Sequence, residues 1–174
     1  MDYFLLKQDE WYTDTPLICD LMEKIDVRDI NRENEHKIPD TVILFVKSKA
    51  DSSYTDVFDR QLYLVSEKLK NILEKYDSDT IFKLLPLIDK ENSRQENYFL
   101  PIFEDVEALS PNSIFNVNRT VIKKIILDGK KIQGKKVFKI KESDKPLIVV
   151  RLDAAESILR RNFKGIKLER LVVE

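Results

Sequence analysis

Two stretches of the chain decide how it folds. "LYLVSEKLKNILEKYDSD" runs from Leu62 to Asp79, and "LIVVRLDAAESILRRNFKG" runs from Leu147 to Gly165. Each reads as a short apolar run, a helix with one apolar stripe and a polar stop. In the first, Leu62 to Val65 is strand-like. Ser66 then supplies an N-cap, because its hydroxyl can accept from an otherwise unpaired backbone N–H. Leu69, Ile72, Leu73 and Tyr76 follow at i, i+3, i+4 and i+7, one stripe of a helix. In the second, "LIVVRL" is a continuous apolar run of the kind buried on both faces of a sheet. Asp153 and Glu156 have capping-box spacing, with Asp153 in the place of the usual Ser or Thr. Ala155, Ile158, Leu159 and Asn162 mark the inner face, and Gly165 suits a chain reversal. The spacing predicts helices from 66 to 76 and from 153 to 162, with Leu69, Ile72, Leu73, Ile158 and Leu159 in the core.

An offset of 86 positions lays Ile72-Leu73 on Ile158-Leu159. A strand–helix–strand unit buries its helix stripe on a sheet, so two copies would give two helices and a sheet to share. Duplication and convergence on one packing pattern both fit the sequence. Around these units lie further strand-like runs, "DYFLLK", "TVILFVKS", "TIFKLLPLI", "YFLPIF", "VFKIK" and "IKLERLVV". The centre of the second of these, Val42 to Val46, reads as buried on both faces. Pro101 favours an edge or a strand end. Residues 26 to 40 are polar without a period and read as a surface loop. The expected fold is a single α+β domain over residues 1–174. It has a largely antiparallel sheet, with two main helices packed mainly on one face.

A chain of 174 residues can bury roughly 70% of the surface its unfolded form would expose, so it needs no staples. Cys19 is the only cysteine and permits no internal disulfide, which fits a reducing compartment. "MDYFLLKQDEW" has neither the basic nor the apolar region of a signal peptide. No run reaches the ~20 apolar residues of a membrane span. These features point to the cytoplasm.

The net charge of -1 hides a split: residues 1 to 118 carry 14 Lys/Arg against 24 Asp/Glu, and residues 119 to 174 carry 16 against 7. Either the halves interleave and neutralise each other, or an acidic face meets a basic partner. Arg119 to Lys145 is a lysine-rich strip able to attract phosphate backbones, so a nucleic-acid-binding module is the alternative reading. Phe138 and Ile140 alternate with its lysines and face the core, leaving no stacking aromatics.

Several chemistries lack their residues. Gly129, Gly134 and Gly165 form no phosphate-cradling loop. One cysteine and one histidine cannot close a Cys/His zinc site. His36, the sole imidazole, sits in a charged loop where acidic neighbours are ordinary. No catalytic, cofactor or metal residues are expected. Asp51, Asp56 and Asp59 cluster in "KADSSYTDVFDR", either as a solvated loop or as part of an acidic binding face. Trp11 and Tyr12 suit either the rim of the core or an interface anchor.

The order of segments resembles a known family. "LYLVSEKLKNILEKY", "LLPL", "YFLPIFEDVEAL", "VIKKIILDGKKI", "VFKI" and "LIVVRLDAAESILRRNFKGIKLERL" are similar to bacterial immunity-protein family eleven of polymorphic toxin systems, also described by its myxobacterial-type immunity domain. The likeness covers most of the chain from Gln61 onward. It is most specific in "IVVRLDAAESILRRNFKGIKLE". Before Gln61 it rests on an N-terminal strand and an "IPD". The resemblance implies a cytoplasmic bacterial protein that protects its producer by binding a cognate toxin, without cofactor or reaction. It assigns no functional residues. A toxin that cleaves nucleic acid tends to be basic, so the acidic part would steer it. Trp11, Tyr12, Asp51, Asp56 and Asp59 are the candidate partner-binding residues.

Overall fold

A computed structural model describes residues Met1 to Glu174. In chain order the elements are β1 (Tyr3–Gln8), β2 (Leu17–Ile18), α1 (Leu21–Lys24), β3 (Leu44–Lys47), β4 (Val57–Phe58), β5 (Leu64–Ser66) and α2 (Glu67–Tyr76). There follow β6 (Ile81–Asp89), β7 (Arg94–Ile102), β8 (Asp105–Val106), β9 (Ile114–Phe115), β10 (Ile122–Lys124), β11 (Ile126–Leu127) and β12 (Val137–Ile140). The chain closes with β13 (Ile148–Arg151), α3 (Leu152–Leu159) and β14 (Ile166–Val173). It is mostly strand with three helices, and eight of the eleven strand pairings are antiparallel.

The strands do not share one sheet. They form two six-stranded sheets, ordered β2-β3-β6-β7-β5-β4 and β11-β14-β1-β13-β12-β8, with β9 and β10 a separate hairpin. The two large sheets are wired alike. In the first, β3, β4, β5, α2, β6 and β7 follow one another along the chain. In the second, β11, β12, β13, α3 and β14 take the same places, and β1 from the N-terminus takes the place of β7. Each of the four neighbour relations has the same sense in both. β3 and β11 run parallel to β6 and β14, and the other three pairs are antiparallel.

The registers agree residue by residue. Val57 faces Val65, which faces Phe99; Val137 faces Val150, which faces Phe4. Leu44 beside Leu87 corresponds to Leu127 beside Val173. The tripeptide Tyr-Phe-Leu thus occurs at equivalent places, 98–100 and 3–5, and Val-Phe at 57–58 and 137–138. Side-chain bonds repeat too. Tyr98 Oη donates to the Thr55 carbonyl at 2.7 Å and Tyr3 Oη to the Lys135 carbonyl at 3.0 Å, each two residues before the Val-Phe pair. Tyr98 packs on Phe58 with ring centroids 4.7 Å apart, and Tyr3 on Phe138 at 6.1 Å.

Packing follows from this wiring. Fourteen buried residues form a core shared by the two units, seven from each. Leu69, Ile72 and Leu73 of α2 meet Ala154, Ala155 and Ile158 of α3 there, and the two helices touch. Each sheet turns its other face to a core of its own. Leu44, Phe58, Leu64, Tyr98 and Leu100 lie in one, and their counterparts Leu127, Phe138, Val149, Tyr3 and Leu5 lie in the other.

Helix α2 matches its sequence signal, with the Ser66 hydroxyl accepting from the Leu69 N–H at 3.3 Å. Helix α3 does not. It runs from Leu152 to Leu159 with Arg151 at the N-cap, and Asp153 binds Arg151 at 2.6 Å instead of capping. Arg151 stands where Ser66 stands in the first unit, so Ile158 answers to Leu73 and not to Ile72. The buried stripe is therefore Ala154, Ala155 and Ile158, and Leu159, expected in the core, is 72% exposed. Val42 to Val46 alternates instead of being buried on both faces, with Ile43 exposed. Residues 26–40 are more than a surface loop, because Ile38 is buried in the first sheet's own core and Ile30 packs against it. The buried Lys83 pins that loop through Glu35 at 2.8 Å and Asp40 at 3.0 Å.

Chemical denaturation should show Leu73→Ala and Ile158→Ala each costing about 2–5 kcal/mol, and Leu159→Ala changing stability by less than about 0.5 kcal/mol. The register of β1 on β14 places Tyr3 opposite Leu171, so the termini meet where the first unit has its β6–β7 turn. A circular permutant joining Glu174 to Met1 through a short turn and opening the chain at Trp11 should therefore fold, melting within about 5 °C of the parent.

Candidate functional site

The segments that carry the residues proposed from sequence meet at one loop junction. Three segments meet there: 9–15 after β1, 49–60 around β4, and 163–165 before β14. The Asp9 N–H donates to the Gly165 carbonyl at 2.9 Å. The Asp56 N–H donates to the Lys164 carbonyl at 2.8 Å, and the Asp56 carboxylate accepts the Lys164 N–H at 2.6 Å. Gln8 and Asp59 bond reciprocally, the Asp59 carboxylate accepting the Gln8 N–H at 2.9 Å and the Gln8 side-chain oxygen accepting the Asp59 N–H at 3.3 Å. Arg60 donates to the carbonyls of Thr13 at 3.1 Å and Tyr12 at 3.3 Å. Gly165 has a φ of +70°, and a Cβ there would lie 2.3 Å from Thr55 Cγ2, so only glycine fits.

The five candidates divide into scaffold and surface. Asp56 and Asp59 spend their oxygens on backbone N–H groups and build the junction. Asp51 is exposed and makes no hydrogen bond or ion pair. Tyr12 is half-buried, its ring 5.9 Å from Lys164 Nζ. Trp11 is 90% exposed, its N–H bonded to Asp9 and its indole touching solvent.

The floor under the 48–54 segment is a polar cluster that sequence reading did not find. Asp89, only 1% exposed, accepts from the Ser48 hydroxyl and from the Asn92 side chain at 2.8 Å. Asn92 also donates to the Ser48 carbonyl at 2.7 Å, and Tyr54 lies 3.3 Å from Ser48 Oγ. The Ser48 hydroxyl, then Asn92, holds the Asp89 carboxyl down at about 2. An isolated Asp at the end of an apolar strand gives no sign of such partners, because Ser48 lies far away in the chain.

Three members of the lysine strip are neutralised by carboxylates. Lys135, Lys139 and Lys141 pair with Glu104, Asp105 and Glu107 at 2.6, 2.9 and 2.9 Å. The β8–β12 pairing makes this ladder, so on this face the acidic and basic parts of the chain interleave. Arg119, Lys123 and Lys124, on the β9–β10 hairpin, keep no ion pair. His36 and Cys19 are both exposed. No group of His, Cys, Asp and Glu is placed to hold a metal ion, and no helix is long and apolar enough to cross a membrane.

Two hollows, of about 390 and 450 Å³, flank a strip of chain that the sequence did not single out, Arg60 to Tyr63. No protein-family model and no curated protein matches the chain.

The Asp89 cluster sets an acid dependence. A carboxyl held below its ordinary value adds stability that is fully present above about pH 4 and is lost as pH falls through about 2. Thermal melts should therefore show the parent losing more stability between pH 4 and pH 2 than Asp89→Asn, which should already be weaker at pH 7.

Proposed function

We propose that this chain is an immunity protein that binds and neutralises a cognate toxin, one to one, in the bacterial cytoplasm. The observation that carries the reading is Trp11. A large aromatic, 90% exposed, stands on a junction that three segments hold with hydrogen bonds. Trp side chains on such pre-ordered ground are enriched among the residues that dominate protein interfaces. The resemblance from Gln61 onward supports the same role. In this account Trp11 and Tyr12 are anchors, Asp51 is a rim charge that speeds association with a basic toxin, and Asp56 and Asp59 hold the platform. We also infer that α2 and α3 stand together on one face of the molecule. The junction lies at the end of β1 and the start of β14.

A second reading rests on Arg119, Lys123 and Lys124. An unpaired basic hairpin could bind nucleic acid electrostatically. A salt-dependent shift of DNA or RNA, lost in a Lys123→Glu/Lys124→Glu variant, would favour it over toxin binding.

Co-expression with the neighbouring toxin gene tests the main reading. The parent should rescue growth and co-purify with the toxin. Trp11→Ala should weaken the complex by about 2 kcal/mol or more, roughly thirtyfold, and Asp51→Lys should mainly slow association. Failure of the parent to rescue or to bind would refute it.

A further inference from the structure

The two hollows beside Arg60–Tyr63 are one site built twice. The first is bordered by Leu100, Pro101 and Ile102 of β7 and by Lys139. The second is bordered by Leu5, Leu6 and Lys7 of β1 and by Asp59. Under the equivalence of the two units, these are corresponding positions. Gln61, Leu62, Tyr63, Lys145 and Pro146 line both. The chain from Arg60 to Tyr63 and its counterpart from Lys145 to Ile148 thus form the ground between the hollows.

The two counterparts differ in one respect. In the second unit the β12–β13 hairpin stays closed, with Lys139 opposite Ile148 and the Ile140 N–H donating to the Leu147 carbonyl at 3.0 Å. In the first unit the β4–β5 pairing ends at Phe58 opposite Leu64. No N–H or C=O of Arg60, Gln61, Leu62 or Tyr63 has a hydrogen-bond partner in the protein. Yet Leu62 and Tyr63 are only 6% and 4% exposed. Main-chain groups of buried residues are nearly always paired.

The strip is nevertheless held in place by its side chains. Arg60 reaches the carbonyls of Tyr12 and Thr13. Gln61 accepts the Ile18 N–H at 2.8 Å and donates to the Ile18 carbonyl at 3.0 Å. Tyr63 Oη donates to the Leu6 carbonyl at 2.9 Å. The side chains fix the conformation and the main chain is left without a partner.

Charge selects the occupant. Among the cations at the hollows, Lys7, Lys139 and Arg28 are paired with Glu169, Asp105 and Asp26. Arg60 and Lys145, which occupy equivalent positions, have no carboxylate partner. The carboxylates there are Asp59, engaged by the Gln8 N–H, and Asp144.

We propose that Arg60–Tyr63 is a recognition strip for an extended acidic segment of a protein partner. The segment adds to the strip as a strand does, through main-chain hydrogen bonds. Its apolar side chains enter the two hollows, and its carboxylates meet Arg60 and Lys145. This goes beyond the immunity reading and does not depend on it.

The test uses the full-length ¹⁵N-labelled protein and two peptide libraries of about ten residues, the upper range of a single strand. One alternates Asp or Glu with Leu, Ile, Val or Phe; the other has Lys or Arg in place of the acids. The acidic library should shift and protect the Leu62 and Tyr63 amides, and the basic library should not. Lys145→Glu, an exposed position that leaves the junction intact, should weaken acidic binding about tenfold, and Arg60→Glu by a similar factor. No response at residues 60–63, an equal response to the basic library, or undiminished binding by Lys145→Glu would overturn the proposal. Toxin rescue with no acidic-peptide binding would sink this proposal alone, and the reverse result would sink the immunity reading alone.

Discussion

The contact between α2 and α3 is the constraint on which the structure depends. Each helix offers one short apolar stripe, and each sheet has two apolar faces. A lone unit could cover only part of that surface. Bringing the helices together buries both stripes and an inner face of each sheet at once, through Val65 and Leu73 on one side and Val150 and Ile158 on the other. Full burial of such side chains contributes about 1.5–3 kcal/mol apiece, so the shared core is where the two units are joined.

The outer faces are closed differently, and that difference makes the molecule asymmetric. The segment from Leu17 to Ile38 covers the first sheet, using Ile18, Ile25 and Ile38. The run from Val106 to Ile132 covers the second, using Val106, Leu109 and Ile132. Surfaces that could carry partner specificity sit on these unmatched additions and at the places where the copies diverge. Trp11 stands on the β1–β2 connection, which has no counterpart because β1 closes the second unit from the far end of the chain. Arg60–Tyr63 stands where one copy leaves open a hairpin that the other keeps closed.

How far the sequence disclosed this can be seen residue by residue. The Ser66 cap and the Leu69, Ile72 and Leu73 stripe are local signals and emerge as read. The second helix is misread because Asp153 and Glu156 imitate a capping box, while in space Asp153 is taken by Arg151 and the helix runs from Leu152 to Leu159, not from 153 to 162. The phase set by Arg151 at the N-cap leaves Leu159 out of the core. The doubled architecture was half legible. The strand–helix–strand repeat shows in the sequence, but the equivalence of Tyr3-Phe4-Leu5 with Tyr98-Phe99-Leu100 does not suggest itself while the first of these strands is read as the start of the chain and not as the end of its last unit. The candidate carboxylates were found as a cluster, but only the fold shows that Asp56 and Asp59 bond to Lys164 and Gln8, partners distant in sequence. The lysine strip reads as more uniformly basic than it is for the same reason: Glu104, Asp105 and Glu107, which pair with Lys135, Lys139 and Lys141, are brought alongside only by the β8–β12 pairing.

Native-state hydrogen exchange tests the central claim, that two equivalent units are fused through one shared core. Amides in the middle of β6 and β7 should exchange only by the same global opening as those in β1 and β13, with matching free energies and matching dependence on denaturant. If one sheet's central amides instead exchange several kcal/mol more easily, with a smaller denaturant slope of their own, the units open separately and the shared core does not bind them into a single cooperative domain.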